Sequence, residues 1–275
     1  MTACGNTPPV RQATVGDMAG EIAARFGLRV LGTAACPECG RVCEQYQILG
    51  SVQYDCPGCI AVRSSRRREE ERRADCLRVW LDICPVNMQS PLRQTALAPW
   101  LVPALTLDGR AGAGFAGAAG GGKTRFCYHL LRLAAGRGLK PWAVTASRYR
   151  QAAADRFDHH PAVRGEARAI LESARHAGAL LLDDVGKGAS SPSGDEALFE
   201  LLDYRRNHQR VTFWTANGGS QWLTSRLGPD FGPAIVRRLL DLTGWAGKGT
   251  GRLFVAPASS RAVRGTFPRE TNGHL

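Results

Sequence analysis

Lysine is scarce in this chain, four residues against 32 arginines, so the positive charge is carried almost wholly by guanidinium groups. Long apolar runs are missing too. The longest, such as Ala177–Leu182, fall far short of the ~20 residues that cross a bilayer as a helix, which excludes a helical membrane span and any membrane partner that would need one. The N-terminus lacks a positively charged start followed by an apolar core, so no secretory signal is expected and a cytoplasmic location is. Without an export signal, nine cysteines argue against a disulfide framework. No internal repeat is visible.

The net charge of +12 is unevenly spread. Residues 1–110 hold 13 Arg and no Lys against 11 acidic residues, a net of +2, which leaves +10 (12 − 2) on the remaining 165. A basic C-terminal part fits contact with nucleic acid or an acidic partner. It fits equally an arginine-rich composition with a solvated surface, so charge alone decides little.

The most informative segment is Gly117-Ala118-Ala119-Gly120-Gly121-Gly122-Lys123-Thr124, which fills every fixed position of G-x-x-x-x-G-K-[ST]. Glycines let such a loop curl so that its N–H groups point at phosphates. Lys123 can reach the β- and γ-phosphates, and the Thr124 hydroxyl can hold Mg²⁺. Gly114–Ala116 reads as the end of a strand and Arg125–Ala135 as a helix whose N-terminus would face the phosphates, with Arg125 beside them. A nucleoside triphosphate, ATP, is therefore expected as ligand, in a chain whose 275 residues suit one ATPase domain and a small accessory module.

Such a loop needs a carboxylate at the end of a buried strand, and Ala179-Leu180-Leu181-Leu182-Asp183-Asp184 supplies one 60 residues after Lys123. Asp183 would hold the Mg²⁺ shell and Asp184 would orient and polarise the attacking water. A glutamate would reach one methylene further than Asp184, so slow hydrolysis or help from a neighbour is expected. Val211–Asn217 (VTFWTAN) reads as the next core strand, placing Asn217 beside the γ-phosphate, with Thr215 a weaker candidate. Arginines stabilise charge on a transferring phosphoryl group. Arg237 and Arg238 lie on an expected helix Pro233–Leu242, Arg226 precedes them, and Arg205 and Arg206 follow Tyr204. Each also suits a surface ion pair; Arg238 is the favoured one, acting from a neighbouring subunit.

Cys36-Pro-Glu-Cys39 and Cys56-Pro-Gly-Cys59 are two C-x₂-C pairs separated by 16 residues. Four thiolates so arranged suit one tetrahedral Zn²⁺ in a closed, structural site. Strand-forming residues between them (Tyr46, Ile48, Val52, Tyr54) point to a zinc ribbon, which would contact DNA or a protein. Cys43 is near enough to substitute as a ligand, but the symmetric set is preferred. Cys4, Cys76, Cys84 and Cys127 read as ordinary thiols.

The expected organisation is a flexible N-terminus over 1–33 with a short helix at Asp17–Phe26, a zinc ribbon over 34–62, a helical linker and connector over 63–104, an ATPase domain over 105–258, and a disordered tail over 259–275. The linker helix, Arg63–Val79, carries Arg66–Glu70 and Arg67–Glu71 at i,i+4 spacing, and its arginines are either a solvated face or a DNA-phosphate contact. Strands at Lys140–Ala146, Ala179–Leu182, Val211–Thr215 and Leu253–Ala256 fall among helices at 125–136, 147–157, 165–176 and 195–208. That order gives an α/β fold, a parallel sheet with helices on both faces. Ser190–Ser193 reads as a flexible insertion and His159-His160 as loop histidines. Trp100, Trp142, Trp214, Trp222 and Trp245 read as packing residues.

Taken in order, GAAGGGKT, LLLDDVGK, a helix ending LLDYRRN, WTAN and AIVRRL resemble the DnaC/IstB-like branch of AAA+ ATPases, over residues 93–256. The cysteine-rich front, the arginine-rich helix and Ile83-Cys84-Pro85 are similar to zinc-bearing DnaC-like proteins of phages and bacteria. The resemblance implies a P-loop AAA+ sheet sandwiched by helices, and ATP, Mg²⁺ and Zn²⁺ as cofactors. It implies self-association on ATP binding and a grip on single-stranded DNA while a replicative hexameric helicase is loaded; IstB members assist a transposase instead. Lys123 and Thr124 match the phosphate loop, Asp183 and Asp184 the Walker B pair, Asn217 the first sensor and Arg238 the arginine finger. With 58 residues after Asn217, little room for a full helical lid is expected. Three functions follow: a helicase loader, a transposition helper, and a non-hydrolysing ATP-dependent DNA-binding adaptor.

Overall fold

The computed structural model describes residues 29–48, 51–92, 97–244 and 252–256, and the chain forms two compact units, Met1–Glu70 and Glu71–Leu275. The expected helix at Asp17–Phe26, the tail over 259–275, Cys4 and Trp245 lie outside the described residues.

In the first unit, β1 (Arg29–Ala35), β2 (Val42–Ile48) and β3 (Ser51–Asp55) form an antiparallel meander in the order β1-β2-β3. The first strand starts inside the segment expected to be flexible, and a register shift between Val30 and Gly32 bends it. Among the described residues, its buried cluster is Cys36, Cys43 and Cys56, with Tyr54 and Cys59 partly buried beside them. After Cys56 the chain enters α1 (Pro57–Ile83), longer at both ends than expected. Proline is tolerated in a helix's first turn because its missing N–H has no partner there anyway, so the second C-x₂-C pair opens directly into the helix. Good helix formers carry it on, and the Arg66–Glu70 pair spans 3.0 Å with both side chains exposed. The division between the units falls within this helix.

The second unit is built on five parallel strands: β4 (Ala113–Ala116), β5 (Pro141–Thr145), β6 (Ala179–Val185), β7 (Val211–Ala216) and β8 (Leu253–Val255), in the order β5-β6-β7-β4-β8. Between them run α2 (Lys123–Ala135), α3 (Ala146–Asp155), α4 (Pro161–His176), α5 (Pro192–Asn207), α6 (Ser220–Arg226) and α7 (Gly232–Leu242). The two-residue period of a strand sorts the side chains. Leu180, Leu182 and Trp214 point to one core with Tyr149, Leu198, Leu202, Ile235 and Leu239 from α3, α5 and α7. Leu181 and Phe213 point to the other with Phe126, Leu130 and Leu131 of α2, Leu101 of a 3₁₀ helix (Pro99–Thr106), and Trp80. Both faces are therefore covered, which is the condition for an all-parallel sheet. At Gly114 the strands need a residue without a side chain, since a Cβ there would stand 2.3 Å from the Trp214 ring.

Two expectations are corrected. Arg205, offered as a group for the transferring phosphoryl or as a surface ion-pair partner, is instead wholly buried and donates to the carbonyls of Ala174, Ala177 and Val211 and to Thr212 Oγ1 at 2.5–3.0 Å. It ties the C-terminus of α4 to the start of β7. Ser190–Ser193 is not a loose insertion. The Ser191 side chain caps α5 by accepting from the Gly194 N–H at 3.2 Å, Pro192 begins the helix, and Ser190 donates to Asp195. Among the described residues, no helix is long and apolar enough to cross a membrane.

Candidate functional site

The glycine-rich loop runs from the end of β4 into α2. Gly120 and Gly122 adopt φ of +83° and +81°, a left-handed backbone that a side chain would strain, and Gly122 is the residue immediately before the helix. The first backbone N–H groups of α2, at Lys123, Thr124 and Arg125, have no helical acceptor and face the loop with the helix's positive end. Lys123 is only 5% exposed. Its ammonium donates to the carbonyls of Gly117 and Ala118, both at 2.8 Å, and to Asn217 Oδ1 at 3.3 Å. Burial lowers its pKa, and the charges of Asp184 and Asp183 oppose that shift. The Arg125 side chain turns to Ser90 Oγ at 2.8 Å, while its backbone stays at the loop.

The carboxylates arrive on β6. Its pairing with β7 shifts register between Leu182 and Val185, and Asp184 takes φ +55°. A bulge of this kind re-aims the side chains it carries, and here it turns both aspartates toward the loop. The displaced Asp184 N–H is satisfied by Thr215 Oγ1 at 2.9 Å, and the same hydroxyl donates to Asp183 Oδ1 at 2.6 Å. Thr124 donates to that oxygen at 2.9 Å, so the two residues expected to hold Mg²⁺ are in contact. A hydroxyl and a carboxylate oxygen, both hard donors, suit a magnesium ion that keeps most of its water. Burial raises the Asp183 pKa, and its hydrogen bonds to Thr215 and Thr124 hold it down.

Asn217, one residue beyond β7, bridges the two halves. It accepts from Lys123 and donates through Nδ2 to Asp184 Oδ1 at 3.4 Å. The strand order explains how: β7 lies between β4, which carries the loop, and β6, which carries the carboxylates. Thr215 matters more than its sequence indicated. The signal was a polar residue facing inward on a buried strand, fully buried like Thr212.

Three residues hold the turn after the aspartates: Lys187 and Arg150, which the sequence did not assign to the site, and Arg226, which it offered only as a candidate for the transferring phosphoryl group. Lys187 pairs with Asp184 Oδ2 at 3.0 Å. Arg226 donates to the Gly186 carbonyl at 3.2 Å, and Arg150 to the Lys187 carbonyl at 2.5 Å while paired with Asp195 at 3.0 Å. Arg150 and Asp195 are 4% and 2% exposed. Arg238 lies on α7, paired with Asp203 at 2.6 Å and set over the Phe199 ring; Arg237, next to it, is exposed.

In the first unit, Cys36, Cys39, Cys56 and Cys59 place their sulfurs within 4.8 Å of one another. Cys36–Cys59 and Cys39–Cys56 are 3.7 and 3.6 Å apart. Backbone N–H groups favour the thiolate. That of Glu38 leads in holding Cys36 down to about 7, and that of Cys59 leads in lowering Cys56. Four sulfurs with N–H support match the donor set of structural zinc. Cys43 is buried against the cluster but outside the four, and its thiol is pushed up by burial and by the charges of Cys36 and Cys56.

No family model and no curated protein matches this chain. Solved structures do. A DnaC helicase loader is 20% identical over 66% of this chain and 99% of its own, with a TM-score of 0.44. Domain III of the replication initiation protein DnaA from Thermotoga maritima is 16% identical over 61% and 69%, at 0.45. AMPPCP-bound DnaA from Aquifex aeolicus is 18% identical over 53% of this chain, at 0.40, and the match spans only 40% of that protein's length. The chain is similar in fold to these replication proteins.

Proposed function

We propose that the chain is an AAA+ ATPase of the DnaC/IstB-like kind, which binds and hydrolyses ATP and loads a replicative hexameric helicase onto single-stranded DNA. The observation that carries the ATPase reading is the bridge made by Asn217 between Lys123 and Asp184. It links the cation that meets the phosphates to the carboxylate that would orient water.

In this reading the loop amides and Lys123 cradle the β- and γ-phosphates. Thr124 and Asp183 would hold Mg²⁺, which supplies charge neutralisation at the phosphate oxygens. Asp184 accepts the proton of the attacking water, and Asn217 fixes that carboxylate relative to the γ-phosphate. Arg238 would act on a neighbouring subunit's nucleotide after leaving Asp203. The client is read from the sequence resemblance, and the basic charge of the C-terminal part supports single-stranded DNA as a partner.

A second reading is the non-hydrolysing adaptor, which the Lys187–Asp184 ion pair favours because it occupies the carboxylate that hydrolysis needs. ATP turnover by the purified chain, with and without single-stranded DNA and beside Lys123→Ala, separates the two. Turnover that requires Lys123 and responds to DNA is expected. Tight ATP binding without turnover selects the adaptor, and turnover unaffected by Lys123→Ala refutes the site.

A further inference from the structure

One aromatic residue stands at the phosphate loop without a part in the account above. The 3₁₀ helix Pro99–Thr106 lies along the loop, so that a Cβ on Gly121 would be 3.4 Å from Trp100 Cζ2 and 3.7 Å from its Nε1. A Cβ on Gly122 would be 3.9 Å from Leu101 Cδ1. The two neighbours differ. Leu101 is fully buried in the α2 core, whereas Trp100 packs on that core only in part.

Its indole N–H also differs from those of the two core tryptophans. The tryptophans buried in the two cores both donate, Trp80 to the Tyr128 carbonyl at 2.9 Å and Trp214 to the Leu239 carbonyl at 3.1 Å. Trp100 Nε1 has no partner among the described residues and is not among the buried unpaired atoms, so it faces solvent beside the loop. A tryptophan with its body on the core and its polar edge wet is placed as binding residues are.

The chemistry of the ligand narrows the role. The free N–H can donate to a phosphate oxygen, a contact that ATP and a bare phosphate chain would share, whereas the indole face serves an aromatic base, since every base presents a π-face to stack on. A purine offers the larger face. The Arg125 side chain, just past the loop, is held at Ser90.

We propose that Trp100 is a specificity-determining residue: its indole forms a wall of the nucleotide site against which the purine nucleoside of a bound triphosphate packs. This rests on the ATP-binding reading above and names the part of the ligand that the loop itself cannot recognise.

The test is calorimetric titration of the full chain with Mg-ATP and with inorganic tripolyphosphate, for the wild type, Trp100→Ala and Trp100→Phe. The wild type should bind ATP more tightly than tripolyphosphate. Trp100→Ala should weaken ATP about tenfold and leave tripolyphosphate unchanged, and Trp100→Phe, which keeps a stacking face and the core packing, should retain most of the ATP affinity. Equal losses for both ligands in the two variants would make Trp100 a support of the loop and overturn the proposal, as would no loss for ATP. A wild type that holds both ligands equally well overturns base recognition alone; one that binds neither overturns the phosphate loop with it.

Discussion

Loading or stripping zinc should decide whether the first unit is folded. The two measured sulfur separations, 3.7 and 3.6 Å, are edges of the cluster. A regular tetrahedron with edges of that length has its centre about 2.2–2.3 Å from each vertex, the Zn–S distance of structural sites, and all four sulfurs lie within 4.8 Å of one another. Among the described residues the buried cluster around it is made of cysteines, with no leucine, isoleucine or phenylalanine to replace the metal's contribution. Binding at such sites supplies about 10–16 kcal/mol at neutral pH, which is folding free energy for so small a unit. X-ray absorption at the zinc edge should show four sulfurs near 2.3 Å and one ion per chain. Chelation should then release hydrogen-exchange protection across 29–59 while β4–β8 keep theirs. Cys36→Ser should lose the metal and Cys43→Ala keep it. Unchanged protection of the stripped ribbon would refute the reasoning.

Asp183→Asn should abolish Mg-ATP binding yet raise the melting temperature of the ATPase unit at pH 7. Burial raises the folded pKa of Asp183 above its usual 3.8, so the folded chain holds the extra proton in that window and stability falls as pH rises through it. The advantage of Asn should therefore vanish below about pH 4; a gap that persists there argues against the buried charge as its source. Arg205→Met should cost about 3 kcal/mol or more, because it leaves three buried carbonyls short of a donor, and should lower the melting temperature by about 6–12 °C. A loss under 1 kcal/mol would show that water takes the guanidinium's place. Arg150→Ala should cost about 3–5 kcal/mol by stranding buried Asp195, and Arg150→Met with Asp195→Leu should recover most of it in urea melts. No recovery would place the loss in the Lys187 carbonyl contact instead.

The local sequence carried most of the architecture because its signals are short-range. Gly117–Thr124 needs only a strand before it and a helix after it, and the structure places β4 and α2 there. The two C-x₂-C pairs likewise needed only tight turns. The strands of the sheet were visible as apolar runs, each found within a few residues of its expected bounds, because buried parallel strands tolerate few polar side chains. Arg205 was misread because nothing within a helix ending in Tyr-Arg-Arg distinguishes a guanidinium that meets solvent from one that meets the carbonyls of another helix.

The sequence by itself determined which residues have the chemistry to meet phosphate, magnesium and zinc, since that follows from residue type and spacing along the chain. The tertiary structure decided how those groups meet. By setting β7 between β4 and β6 it brought Asn217 to Lys123 and Asp184, 94 and 33 residues away along the chain. It also made Thr215 the partner of both aspartates and put Trp100 beside Gly121. Such contacts depend on strand order and on a bulge in β6, and both are set by the packing of two cores against the sheet, which no local stretch of sequence contains.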